Sequence, residues 1–153
     1  IQRLVHGFKY KGNRELGKQL GQMMGEQMAG SGRFRADALV PLPLFPQKEK
    51  KRGYNQATLL CEGMSVAMQI PVWTQVVTRP IHTETQTKKG RIERWKNMEG
   101  KFVVRDAAAI RDKHILLVDD VITTGATLEA CGMALLEAGN TSLSIATLCL
   151  TSH

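Results

Sequence analysis

The apolar positions of this chain change period along its length, and the changes divide it into elements. Ile1, Leu4, Val5 and Phe8 recur at helical spacing until Gly12 interrupts them. Asn13 can cap a second helix with the stripe Leu16, Leu20, Met23, Met24 and Met28, ended by the Gly30-Ser31-Gly32 turn. These predict N-terminal helices over residues 1–29. Ala38-Leu39-Val40 reads as a short strand cut off by Pro41 and Pro43, which cannot donate to a central ladder. A charged loop over 46–53 follows, then a helix starting near Asn55 with Leu60, Met64, Ala67 and Met68 on its stripe. Val76-Val77 predicts a strand closed by Pro80, and Phe102-Val103-Val104 another. Between them, residues 81–100 are polar, basic and almost free of aliphatic side chains, the pattern of a linker or a mobile functional loop.

The last third has the clearest rhythm. Ile115-Leu116-Leu117-Val118 is a continuous apolar run, suited to a strand buried on both faces. Leu128, Cys131 and Leu135 define a helix ending at Gly139, and Leu143 to Leu150 reads as the next buried strand. Strand, helix and strand make a βαβ unit. The chain as a whole reads as one α/β domain over 1–153, with a mostly parallel central sheet flanked by helices.

A length of 153 residues suits one domain that buries roughly 70% of its unfolded surface. No apolar run approaches the roughly 20 residues needed to span a bilayer, so no membrane insertion is expected. Gly17, Gly21 and Gly25 have the spacing of a membrane-helix contact, but Lys18, Gln19, Gln22, Glu26 and Gln27 lie among them. In a water-exposed helix such glycines permit close packing. Cys61, Cys131 and Cys149 are widely separated in apolar stretches, without a CxxC pair or a neighbouring histidine. They read as reduced core thiols of a cytoplasmic protein. His82 and His114 have no partner pattern. Because Ile1 already lies inside an amphipathic pattern, the sequence reads as part of a longer chain.

The net charge of +7 is unevenly distributed: no Lys or Arg follows Lys113, whereas four acidic residues do. Basic residues cluster at Lys48, Lys50, Lys51, Arg52 and at Lys88, Lys89, Arg91, Arg94, Lys96. Such clusters serve as a solvated face, a nucleic-acid surface or a clamp for pyrophosphate. Low aromatic content argues against stacking on single strands.

The chemistry is concentrated in ILLVDDVITTGAT, residues 115–127. A buried strand delivers Asp119 and Asp120 to its carboxyl end, where open α/β sheets bind ligands. Thr123, Thr124, Gly125, Ala126 and Thr127 follow as a helix begins. Gly125 allows close backbone approach, and freed amides and hydroxyls can donate to phosphate oxygens. A helix end contributes only about 0.3–2 kcal/mol per anion, so several donors must act together. The carboxylates would repel phosphate; they suit ribose hydroxyls or a hydrated magnesium ion. A response-regulator receiver would need a phosphoacceptor Asp downstream, and no Asp follows Asp120. A Walker-B strand would need a Walker A partner, but Gly7 through Gly12 is followed by Asn13 and Arg14.

Apolar strand, Asp-Asp, two aliphatics and Thr-Thr-Gly-x-Thr resembles the signature of type I phosphoribosyltransferases. The resemblance extends to their ComF (competence protein F) branch. FKYKGN at 8–13, LVPLP at 39–43 and KRGYNQA at 51–57 are similar to that branch. So are Thr83, Thr85, Gln86, Arg94, Asn97, Gly100 and Phe102. The Cys-rich zinc ribbon that usually precedes the first helix of ComF proteins is absent from this chain. The resemblance implies a Rossmann-like core that binds phosphoribosyl pyrophosphate with Mg²⁺, held through ligand and water. Asp119 and Asp120 would contact the ribose, and residues 123–127 the 5′-phosphate. Lys51 and Arg52 would face the pyrophosphate, with Arg94, Lys88 and Lys89 closing over it from the loop 81–100.

Two functions remain open on these residues. One is transfer of the phosphoribosyl group to an unidentified nitrogenous base, with release of pyrophosphate. The other is a non-catalytic module that binds the same ligand, nucleic acid or a competence-machinery protein. The absence of a recognisable base-binding hood favours the second; the acid pair with a closing loop favours the first. A homodimer is a further candidate assembly.

Overall fold

The computed structural model describes residues 13–80 and 102–151. The expected first helix at 1–12 and the loop 81–100, with Lys88, Lys89 and Arg94, lie outside the described residues.

Helix α1 (Arg14–Ser31) starts where the Asn13 side chain accepts the Leu16 N–H at 3.0 Å, and ends on Gly32 in the left-handed conformation at φ 62°. Its buried residues are Gly17, Gly21 and Gly25, not the expected methionine stripe. Met23 is 62% exposed. The reason is the partner, α3 (Gln56–Met68): a Cβ added at Gly21 would come within 2.1 Å of the Leu60 carbonyl oxygen. One added at Gly63 would come within 2.0 Å of the Lys18 carbonyl. The two helices touch backbone to backbone, so the glycine ridge faces inward and Leu20, Met24 and Met28 flank it, packed against the core.

Strand β1 (Ala38–Pro41) leads into α2 (Pro46–Arg52). The charged loop expected at 46–53 is in fact this helix. Pro46 opens it, Lys50, Lys51 and Arg52 complement the negative end of its dipole, and no residue of it is buried. A helix that buries nothing leaves no apolar rhythm in the sequence. Asn55 caps α3, as expected, by accepting the Ala57 N–H at 3.0 Å.

A short antiparallel ribbon pairs β2 (Val77–Thr78) with β3 (Val103–Val104). After the brief helix α4 (Ala107–Ile110) come β4 (His114–Ile122), α5 (Ala126–Glu137) and β5 (Ser142–Leu150). The main sheet has the order β1-β4-β5, all parallel, and Val72 bridges to Leu39 on the outer side of β1. The architecture is the expected α/β core, a parallel central sheet flanked by helices. β5 departs from expectation: of its nine residues only Ala146 is buried, and Leu150 is 72% exposed. It lies at the edge of the sheet among the described residues, so it is not covered on both faces as β4 is.

Alternation along β4 divides the core in two. Ile115 and Leu117 pack with Leu128, Cys131 and Leu135 of α5 and with Val77 and Phe102. Leu116 and Val118 pack on the other face with Leu59, Leu60, Cys61 and Met64 of α3. Each such aliphatic side chain contributes about 1.5–3 kcal/mol when fully buried, which fixes the register of β4 to its neighbours.

Candidate functional site

The strict register of β4 decides where its acids go. Asp119 pairs with Thr147 in the ladder and, by the two-residue repeat, shares the α5 face with Ile115 and Leu117. Asp120 falls on the opposite face. Both carboxylates are half-buried at the carboxyl end of the sheet. Asp119 Oδ1 accepts the Asp120 N–H at 2.8 Å, and Asp120 Oδ1 accepts the Val121 N–H at 2.9 Å, so each is steadied by the backbone that follows it.

The turn after Ile122 is anchored where Thr151 donates its N–H to the Ile122 carbonyl at 3.0 Å. Thr123 and Thr124 are exposed. Gly125 occupies the cap of α5 at φ 80°, a conformation that L side chains rarely adopt, and it has no side chain to cap with. The first amides of a helix lack intrahelical partners. Here the Ala126 N–H donates to Thr124 Oγ1 at 3.3 Å, and the Glu129 N–H closes the first turn on the Gly125 carbonyl at 2.9 Å. A Cβ on Gly125 would meet nothing within 4 Å. The cradle is open, electropositive by its amides, and able to receive an anion.

The second wall comes from beyond β1. Leu42 donates its N–H to the Val118 carbonyl at 2.8 Å, and the Asn55 side-chain amide donates to the Leu42 carbonyl at 3.0 Å. This ties residues 42–55 to the sheet end that carries the acid pair. Lys51 is exposed on α2; Arg52 is half-buried and donates to Gln56 Oε1. Among the described residues no group of three or more His, Cys, Asp and Glu side chains is arranged to hold a metal.

One cation at this end was not singled out by sequence reasoning. Arg79 closes β2, and its guanidinium stacks 3.8 Å from the centroid of the Phe45 ring and 5.2 Å from that of Phe102. Burial pushes its pKa below the ordinary arginine value, while neighbouring Cys131 and Asp119 act in the opposite direction. Burial pushes the Cys131 thiol up to about 12, with Arg79 opposing and Asp119 adding to the rise. Cys131 is therefore a neutral core thiol, as expected, and so is buried Cys61, pushed up chiefly by burial. The available signal was position: Arg79 stands outside both basic clusters, at a strand end beside Pro80. His114 is structural, its ring 2.7 Å from Ser144 Oγ at the opposite end of β4.

Residues 64–153, which include the acid pair and the turn, match the phosphoribosyl transferase domain. The chain belongs to the phosphoribosyl transferase domain family. Its relatives identify the ComF branch of that family. Over 97% of its length the chain is 28% identical to the DNA utilization protein YhgH of Escherichia coli strain K12, of which it spans 66%. It is 36% identical over 104 residues to competence protein F of Haemophilus influenzae, covering 67% of this chain and 45% of that protein. The chain thus spans about two thirds of the first of these relatives and less than half of the second. Among solved structures, the glutamine phosphoribosylpyrophosphate amidotransferase of B. subtilis, complexed with ADP and GMP, superposes with a TM-score of 0.60. The identity is 18%, over 86% of this chain and 26% of that one, a likeness of fold.

Proposed function

We propose that the chain binds phosphoribosyl pyrophosphate with Mg²⁺ and transfers its phosphoribosyl group to a nitrogenous base. The observation that carries this reading is the continuous run from Asp119 to Thr127. It joins two half-buried carboxylates to an amide-lined cradle at one strand end, in a domain of the phosphoribosyl transferase family. Thr123 to Thr127 hold the 5′-phosphate; Asp119 and Asp120 accept hydrogen bonds from the ribose hydroxyls. Lys51 and Arg52 face the pyrophosphate. Two carboxylates with no third acidic, His or Cys partner grouped with them among the described residues suit a magnesium ion that would keep its water and be held through the ligand's phosphates. When bound, that ion neutralises charge on the departing pyrophosphate. The chain's own residues then hold C1 of the ribose facing the acceptor. The C1–oxygen bond to pyrophosphate breaks, a C1–nitrogen bond forms, and the base loses its proton.

The second reading, ligand or nucleic-acid binding without catalysis, is supported by exposed Lys48, Lys50 and Lys51 on α2 and by relatives named for DNA utilization and competence. Pyrophosphate release, measured with phosphoribosyl pyrophosphate, Mg²⁺ and a panel of bases, separates the two. Base-dependent release is expected. Ligand binding by calorimetry without release from any base supports the module, and absence of binding removes both ligand readings.

A further inference from the structure

Helix α2 carries Lys51 and Arg52, yet none of its seven residues is buried, so no apolar face docks it on the core. Two arginines from distant parts of the chain grip its ends instead. At its start, Phe45 occupies the cap without a side-chain hydrogen bond, and its ring takes the Arg79 guanidinium at 3.8 Å. The same guanidinium lies 5.2 Å from the ring of Phe102, which packs in the core between β4 and α5. Both distances are within the range at which a ring face attracts a cation. Lys48 Nζ already lies 5.8 Å from the Phe45 ring, and a helix start disfavours cations, so the stack rather than long-range attraction places Arg79 here. At the other end, Gly53 turns the chain out of the helix at φ 86°, and its carbonyl accepts from Arg14 Nη2 at 2.6 Å. The Arg14 guanidinium also lies 5.6 Å from the centroid of the buried Tyr54 ring. Arg14 is the first residue of α1, so α1 is tied to the end of α2 that carries Lys51 and Arg52.

We propose that Arg14 and Arg79 are positioning residues that hold the two ends of α2 and so fix where Lys51 and Arg52 present their charge to the pyrophosphate. A helix with no buried face is placed by its ends, and each end here is held by one guanidinium. An arginine that met the pyrophosphate directly would have a different signature, because its effect would not pass through Lys51 and Arg52. The consequence for the ligand rests on the donor-binding reading, but the grip on α2 exists without ligand.

Arg14→Met and Arg79→Met test both levels. In hydrogen exchange of the unliganded chain, each should speed exchange of the amides of residues 49–53 by about fivefold or more, with β4 unchanged. Unchanged exchange in α2 overturns the proposal. In calorimetry with Mg²⁺, each should weaken phosphoribosyl pyrophosphate by about fivefold or more and leave ribose 5-phosphate unaffected, because the turn at 123–127 is untouched. In a Lys51→Ala, Arg52→Ala background the same substitutions should cost nothing further. A loss that persists in that background overturns the proposal in favour of direct pyrophosphate contact, and an equal loss of ribose 5-phosphate overturns it as well. Arg14→Lys, which can still donate to the Gly53 carbonyl, should recover part of the affinity. If Arg79→Met does not fold, Phe45→Leu removes the ring from the same contact and carries that half of the test. If the unsubstituted chain binds neither ligand, the donor reading fails, and hydrogen exchange still decides whether the two arginines hold α2.

Discussion

Glycine is used for opposite reasons at two places in this molecule. Between α1 and α3, Gly21 and Gly63 have ordinary helical backbones but no room: an added Cβ would fall within 2.1 Å of one carbonyl oxygen and 2.0 Å of another. At the cap of α5, Gly125 has ample room, with nothing within 4 Å, but holds φ at 80°. The first pair lets two helices touch and serves the fold. The second lets the chain turn sharply from strand to helix and leaves its amides open, and serves the site. The same residue type therefore predicts loss of stability in one region and loss of binding in the other.

The helix pair should give the largest effect. In Gly63→Ala the new methyl meets the Lys18 carbonyl and, at 2.5 Å, the Gln22 nitrogen, both backbone atoms that cannot rotate away. The helices must separate, which costs about 3 kcal/mol or more. Chemical denaturation checks this; a loss below about 1 kcal/mol would mean the helices slide apart cheaply and the contrast drawn here is wrong.

Gly125→Val comes next, and it should divide the two properties. A β-branched residue resists positive φ, at a cost of order 1–3 kcal/mol, yet finds no clash. The variant should therefore remain folded by circular dichroism while phosphoribosyl pyrophosphate binding is abolished in calorimetry. Unchanged affinity in a folded variant would remove this turn as the phosphate site.

The two glycine roles were unequally legible in the sequence. Gly125 was readable because its neighbours announce it: an apolar strand, two acids, then Thr-Thr-Gly before a helix. The spacing of Gly17, Gly21 and Gly25 announced close packing, but the methionines beside them suggested a stripe that the structure turns aside. Met23 is exposed because backbone contact, invisible to any scale of apolarity, outranks side-chain burial here. α2 escaped notice because it buries nothing, and β5 was taken as buried because an apolar composition does not tell a central strand from an edge. Arg79 was missed for a similar reason: its partners Phe45 and Phe102 are 34 and 23 residues away in the chain, respectively, and only the fold brings them to it.

The acid pair sharpens the comparison within the site itself. Asp119→Asn with Asp120→Asn removes the ribose acceptors and leaves Gly125 and its amides untouched. Affinity for phosphoribosyl pyrophosphate should fall by roughly tenfold or more, since hydrogen bonds to charged groups contribute about 1.5–3 kcal/mol. Inorganic phosphate should bind the turn as well as before or better, because two repelling charges are gone. Calorimetry with both ligands checks this, and equal loss of both would show that the carboxylates and the cradle are not separate parts.

The smallest effect should come from a glycine with neither reason to exist. Gly30 lies in the last turn of α1, within the helix, with no positive φ and nothing within 4 Å of where its Cβ would stand. Replacing it with Ala gives the helix a better former and restricts the unfolded chain, at no steric cost. Gly30→Ala should stabilise the protein by about 0.5–1 kcal/mol, with ligand affinity unchanged. The shift is small but its sign is the test, because crowding and backbone conformation both predict losses at the other positions. Raised stability here beside a severe loss at Gly63 would leave steric contact as the cause of the latter. A loss at Gly30 in urea denaturation would mean that some constraint on this helix, other than contact or φ, sets the cost of adding a side chain.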